Sequence, residues 1–116
     1  MALSRGNLGP VQVVPASGGA VGVVTVASNK NVYVKSIIAH IGSGSGIGTA
    51  QAAIHVCPNG VSASDANRVF KVDIAQLETV LIEPSYPIVL ENTGDSIQVD
   101  ATTSTVNILV NGDKEA

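Results

Sequence analysis

The chain contains no tryptophan, one phenylalanine, two tyrosines and one cysteine. Each shortage excludes something. A lone cysteine, Cys57, allows no internal disulfide, and a zinc site would need its other ligands from elsewhere. So few aromatics cannot line the cleft of a carbohydrate enzyme, nor form the stacking platforms on which single-stranded nucleic acid rests. Charge is scarce too: 13% of residues are charged, against roughly 25% in an average soluble domain. The six Lys and Arg residues are scattered and the net charge is −3, so no concentrated positive patch rewards a phosphate backbone. No apolar run approaches the ~18 residues of a helical membrane span. The opening stretch MALSRGNLGP has no apolar core of signal-peptide length, and a chain made and folded in a cytoplasm is expected.

What is present is β-forming. Apolar residues make up 45% of the chain, mostly Val, Ile and Ala, and the mean hydropathy is positive, +0.35. Branched side chains pack well on a pleated surface. A chain of 116 residues suits one domain with a small core. A solitary soluble domain carries interspersed charge to stay dispersed. A surface this poor in charge predicts that part of it is covered by another copy or by a partner.

Along the chain, residues 1–10 carry Gly6, Gly9 and Pro10 without periodicity and read as an arm. Val11 to Val14 reads as a short edge strand stopped by Pro15, so residues 1–19 form an N-terminal arm with that strand. The β-sandwich domain is predicted over residues 20–112, and residues 113–116 read as a polar tail. Valines at nearly every second position mark Ala20 to Ala27 as a strand. Phe70, Val72 and Ile74 alternate with Val69, Lys71 and Asp73, the cleanest strand pattern in the chain. Val80 and Ile82, then Ile97, Val99 and Ala101, then Val106, Ile108 and Val110 supply further inward rows. About eight strands at spacings of roughly eight to twelve residues, with no convincing helix, predict an antiparallel, jelly-roll-like β-sandwich.

The longest strand patterns lie between Asn31 and Pro58 and read as a hairpin joined by the glycine-serine stretch from Gly42 to Gly48. Strict alternation places Val34 and Ile38 beside Ile54 and Val56 on the core face. Tyr33, Ile37, Ile41, Ala53 and Cys57 then share the opposite face, which is too apolar for free water. The glycine-rich loop resembles a phosphate cradle only superficially. Such cradles are followed by a helix whose N-terminus holds the phosphate, and here a strand pattern follows.

No other constellation carries chemistry. His40 and His55 fall on opposite faces of the expected hairpin, so no ion shared within one chain is expected, which leaves open only a histidine site at an oligomer axis. No nucleophile elbow surrounds a serine, and Cys57 near His55 lacks a third orienting group. The carboxylates Asp65, Asp73, Glu83, Glu91, Asp95 and Asp100 sit in turns or at outward positions, with no dense oxygen-ligand loop for calcium. Catalytic, metal and cofactor-binding residues are therefore expected to be none, and the chain is expected not to be an enzyme.

The succession VYVKSIIAH, the glycine-serine loop, AIHVCPNG, ANRVF, ETVLIE, PIVLENTGDSIQV and VNILVNG resembles small β-sandwich virion proteins of tailed bacteriophages. The resemblance spans about residues 20–112. It implies a structural protein without catalysis: a cement or decoration protein that bridges major capsid protein subunits on the outer surface of the head. It also implies a homotrimer, with no nucleic acid, membrane or cofactor among its partners. The alternative is a tail-associated or fibre module that binds a neighbouring tail protein or a host-surface glycan. Contacts are expected from the arm and the second hairpin face: Leu3, Arg5, Leu8, Val11, Val13, Tyr33, Ile37 and Ile41.

Overall fold

Ten strands and no helix make up the described part of the chain: β1 (Leu3–Asn7), β2 (Gln12–Val14), β3 (Val21–Thr25), β4 (Val32–His40), β5 (Thr49–Cys57), β6 (Arg68–Ala75), β7 (Thr79–Ile82), β8 (Ile88–Leu90), β9 (Ser96–Thr102) and β10 (Val106–Glu115). The computed structural model describes residues 3–15, 19–27, 30–41, 49–75, 77–102 and 105–115. The Gly42 to Gly48 loop lies outside the described residues.

All pairings are antiparallel and form two sheets. Sheet A has β10 and β4 at its centre. β1 and β2 lie along the free edge of β10, and β7 and β8 along the free edge of β4. Sheet B runs β3-β9-β5-β6. β2 pairs with β10, β3 with β9, β4 with β7 and β8, and β5 with β6. The chain thus behaves as one long antiparallel ribbon, doubled back at the β5–β6 turn and rolled into two layers. This is the pairing logic of a jelly roll.

Between the layers lies one apolar core, contributed by inward rows of both sheets: Val34, Ile37, Ala39, Ile41, Ile108 and Val110 from sheet A, and Ala52, Ile54, Ile74, Ile97 and Val99 from sheet B. The inward rows predicted for β6, β7, β9 and β10 face the core as their sequence predicts, while Leu81 and Leu109 lie on the outward side of β7 and β10.

The expected hairpin is corrected. β4 belongs to sheet A and β5 to sheet B, so they are not hydrogen-bonded to each other. Each strand turns its own apolar row into the same core from opposite sides.

The face assignment in β4 is corrected as well. Against β10, Asn111 pairs with Ser36 but the next residue, Gly112, pairs with Val34. Lys35 is therefore an extra residue, a β-bulge. It reverses the alternation: Val32 and Val34 point inward before it, and Ile37, Ala39 and Ile41 after it. Ile37 and Ile41 are fully buried (0% exposed) and Ile38 faces outward, the reverse of strict alternation. Gly112 fits this irregularity because a Cβ there would collide with the Tyr33 carbonyl oxygen.

Both ends of the chain are also more ordered than their composition suggests. Residues 3–7, expected as an arm, pair with β10 from Leu3↔Glu115 to Asn7↔Asn111. The expected polar tail continues β10 as far as Glu115.

Candidate functional surface

The two outer faces of the sandwich differ in chemistry. On sheet B, directly opposed residues form the rows Asp73–Gln51–Thr102, Lys71–Ala53–Asp100 and Arg68–His55–Gln98. Charges of both signs are interspersed there, the usual character of a solvated sheet face.

Sheet A is different. Its outward rows, read across the strands, are Val13–Asn107–His40–Thr79, then Leu109–Ile38–Leu81, then Asn7–Asn111–Ser36. These three neighbouring rows contain no charged side chain. The middle one is wholly apolar, and Val13 and Leu81 at the margins are 60% and 54% exposed. The bulge at Lys35 creates this surface: by reversing the alternation it sends Ile37 inward and presents Ile38 between Leu109 and Leu81.

A fourth row, Arg5–Asp113–Tyr33–Val89, closes this face at one end. Asp113 is nearly buried and is held by two cations, with Lys35 Nζ at 2.7 Å from Oδ2 and Arg5 Nε donating to Oδ1 at 3.2 Å. The Lys35 hydrogen bond holds the Asp113 carboxyl below the usual carboxylate range. Burial opposes the shift and Arg5 adds to it. The bulge therefore has a second role: it places Lys35 over Asp113. Elsewhere on the face, His40 Nδ1 lies 2.9 Å from Thr79 Oγ1, and Asn111 Nδ2 donates to Ser36 Oγ at 3.5 Å.

The expected contact residues divide accordingly. Val13 and Tyr33 lie on the outer face of sheet A, with Arg5 in the Tyr33 row. Val11 is exposed just ahead of β2, and Leu8 packs against the core. Leu3 pairs with Glu115, and its side chain lies outside what is described. Ile37 and Ile41 are core residues and unavailable to a neighbour, because the bulge turned them inward. Strict alternation misplaced Ile38; Leu81 and Leu109 already lie outward of the Val80–Ile82 and Val106–Ile108–Val110 rows but were not singled out as contacts, nor was Val89. The one signal for Ile38 was the polar Lys35-Ser36 pair followed by the Ile37-Ile38 doublet, which interrupts the period.

The remaining reactive side chains are spread out. His40 and His55 lie on different sheets. His55 Nδ1 donates to the Gln98 carbonyl at 3.3 Å, since that oxygen can only accept. Cys57 is fully buried, and burial pushes its thiol up, away from the reactive thiolate.

One exposed residue is held in an unusual backbone state. Leu77, in the turn between β6 and β7, has φ +65° and is 63% exposed. Its amide donates to the Ile41 carbonyl at 2.8 Å, which fixes the turn against the end of β4. A leucine with positive φ is an outlier, and glycine or asparagine would sit there with less strain.

No family model and no curated protein matches the chain. Among solved structures it is similar to a chain in the "Structure of infectious bursal disease virus Gx strain", with a TM-score of 0.36 and 10% identity, over 97% of this chain and 31% of that one. This chain thus spans less than a third of that chain's length, and a likeness so distant carries no argument about partners or activity.

Proposed function

We propose that the protein is a structural component of a virion, a cement or decoration protein that stabilises a phage head by bridging major capsid protein subunits. It works without catalysis or cofactor, as a homotrimer on the outer capsid surface, after synthesis in the host cytoplasm. The observation that carries this reading is the contrast between the two outer sheet faces. A protein that worked alone in solution would gain nothing from three uncharged rows on one face and interspersed charge on the other. A protein that works by being covered needs that asymmetry. The jelly-roll pairing is compatible, since the architecture recurs in capsid and lectin domains, but fold alone does not assign function.

Attachment of this kind rests on buried area, at about 25 cal/mol per Å² of apolar surface. Several copies held together then convert a modest footprint into tight binding through effective concentration. Counting copies in purified particles by quantitative mass spectrometry tests the proposal. A cement protein is present in hundreds of copies per particle and covers the head in electron micrographs. A copy number in the tens, confined to the tail, would instead support the tail-module reading and end this one.

A further inference from the structure

We propose that Asn59 is a site of spontaneous deamidation, with water as the co-reactant, and that the change turns a lock between two turns into a pair of opposed carboxylates. The proposal goes beyond the virion role and does not depend on it.

The chain contains the dipeptide Asn-Gly twice, at Asn59-Gly60 and at Asn111-Gly112. Asparagine deamidates most readily before glycine, because glycine has no Cβ to hinder its own nitrogen. The glycine nitrogen attacks Cγ of the asparagine side chain. The bond from Cγ to Nδ2 breaks, and ammonia leaves with the proton of the backbone amide. The five-membered imide so formed takes up one water. Opening at one carbonyl gives aspartate, and opening at the other gives isoaspartate, whose main chain runs through Cβ and Cγ. An amide and water become an acid and ammonia, with no oxidant or reductant involved.

The fold treats the two dipeptides differently. Asn59 and Gly60 are exposed, in a turn closed by the Val61 amide donating to the Pro58 carbonyl at 3.0 Å. Gly60 has φ +80°, and the space beside its Cα is open. Bringing its nitrogen onto Cγ breaks bonds local to this turn only. Asn111 and Gly112 lie in β10, paired with β1 on one side and β4 on the other. Gly112 is buried against the Tyr33 carbonyl, and Asn111 Nδ2 donates to Ser36 Oγ at 3.5 Å. Cyclisation there requires both ladders to open.

What the change would do follows from Asp95, which ties the Asn59 turn to the turn between β8 and β9. Asp95 Oδ1 accepts from the Asn59 amide and Oδ2 from the Asn92 amide, each at 3.1 Å. The Asn59 side chain lies against Gly94, so closely that a Cβ on Gly94 would collide with it. The Gly94 amide donates in turn to the Val26 carbonyl at 3.1 Å, just past the end of β3. One end of sheet B, where β3 and β5 finish and β9 begins, is thus joined through Asn59, Gly94 and Asp95. Deamidation sets a second carboxylate beside Asp95, and like charges repel. The isoaspartate product also lengthens the main chain of the turn.

The test is peptide mapping by mass spectrometry of the full chain, kept folded at neutral to mildly alkaline pH in heavy-oxygen water. The peptide holding Asn59 incorporates heavy oxygen about tenfold faster, or more, than the peptide holding Asn111, and part of its product is isoaspartate. In urea, where neither turn nor ladder holds, the two react at similar rates. Asn59→Gln, which would have to close a larger ring, stops incorporation at that position. The deamidated chain, separated by ion exchange, melts below the unmodified chain, and the gap narrows as salt is added. Asn59→Asp reproduces that salt-sensitive loss without requiring the separation. Incorporation at Asn59 that is absent from the folded chain, or no faster than at Asn111, overturns the proposal. Equal melting of the deamidated and unmodified chains at low salt overturns the lock assigned to Asp95.

Discussion

Replacing Ile37 and Ile38 separately by alanine tests the bulge, and with it the identity of the exposed face. The two residues are adjacent and chemically identical. Strict alternation makes Ile38 the core residue; the observed register makes it Ile37. Ile37 opposes Val110 on one side and Ile82 on the other, all directed into the core. Removing three carbons from such a site costs the transfer free energy of those groups and leaves a cavity, about 3–4 kcal/mol together. Ile38 is only partly buried, opposes the exposed Leu81, and loses about 1–2 kcal/mol. For a chain of 116 residues, the unfolding entropy near the midpoint is about 0.24 kcal/mol/K, so Ile37→Ala lowers Tm by ~12–16 °C and Ile38→Ala by ~4–8 °C. Urea unfolding at low protein concentration gives the same ordering free of any contribution from association. A larger loss for Ile38→Ala, or equal losses, would refute the phase reversal and remove Ile38 from the outer face.

Two further substitutions probe what the bulge depends on. Gly112→Ala drives a methyl group into the Tyr33 carbonyl and lowers stability by about 3 kcal/mol, read by urea unfolding; a neutral result would show that β4 does not bulge against β10. The folded-state pKa of Asp113 is depressed, first by Lys35, so its contribution is present above the unfolded carboxylate value and is lost as pH falls through the folded value. Tm measured from neutral to acidic pH therefore falls more steeply below about pH 4 in the wild type than in Asp113→Asn, and parallel curves would contradict the ion-pair assignment.

Strand identity was legible wherever alternation was unbroken. In β6, β9 and β10, one apolar residue in two faces the core, and local pattern suffices to say which. Three things were not legible, and each depends on a distant partner. The sheet to which β5 belongs is set by β6 and β9, not by its neighbour in sequence β4. The bulge at Lys35 is a two-against-one count made against residues 111 and 112, more than seventy positions away. The strand at residues 3–7, with Gly6 in it, has weak β character and exists because β10 extends far enough to pair with it. The candidate face inherits the second of these. Composition foretold an under-charged surface in need of cover, but the phase error in β4 placed Ile37 and Ile41 on it in place of Ile38.

The position of β10 has a consequence in time. It is a central strand of sheet A, flanked by β1 and β2 on one side and β4 on the other, and the last of the ten to be synthesised. Until it is made, β1 and β2 have no partner in sheet A, and Ile38 lacks Leu109 beside it. Such long-range closure folds slowly, because the chain loses loop entropy before the pairing rewards it. The uncharged outer face of sheet A is therefore completed only when β10 takes its place between β2 and β4, in the same step that closes the fold.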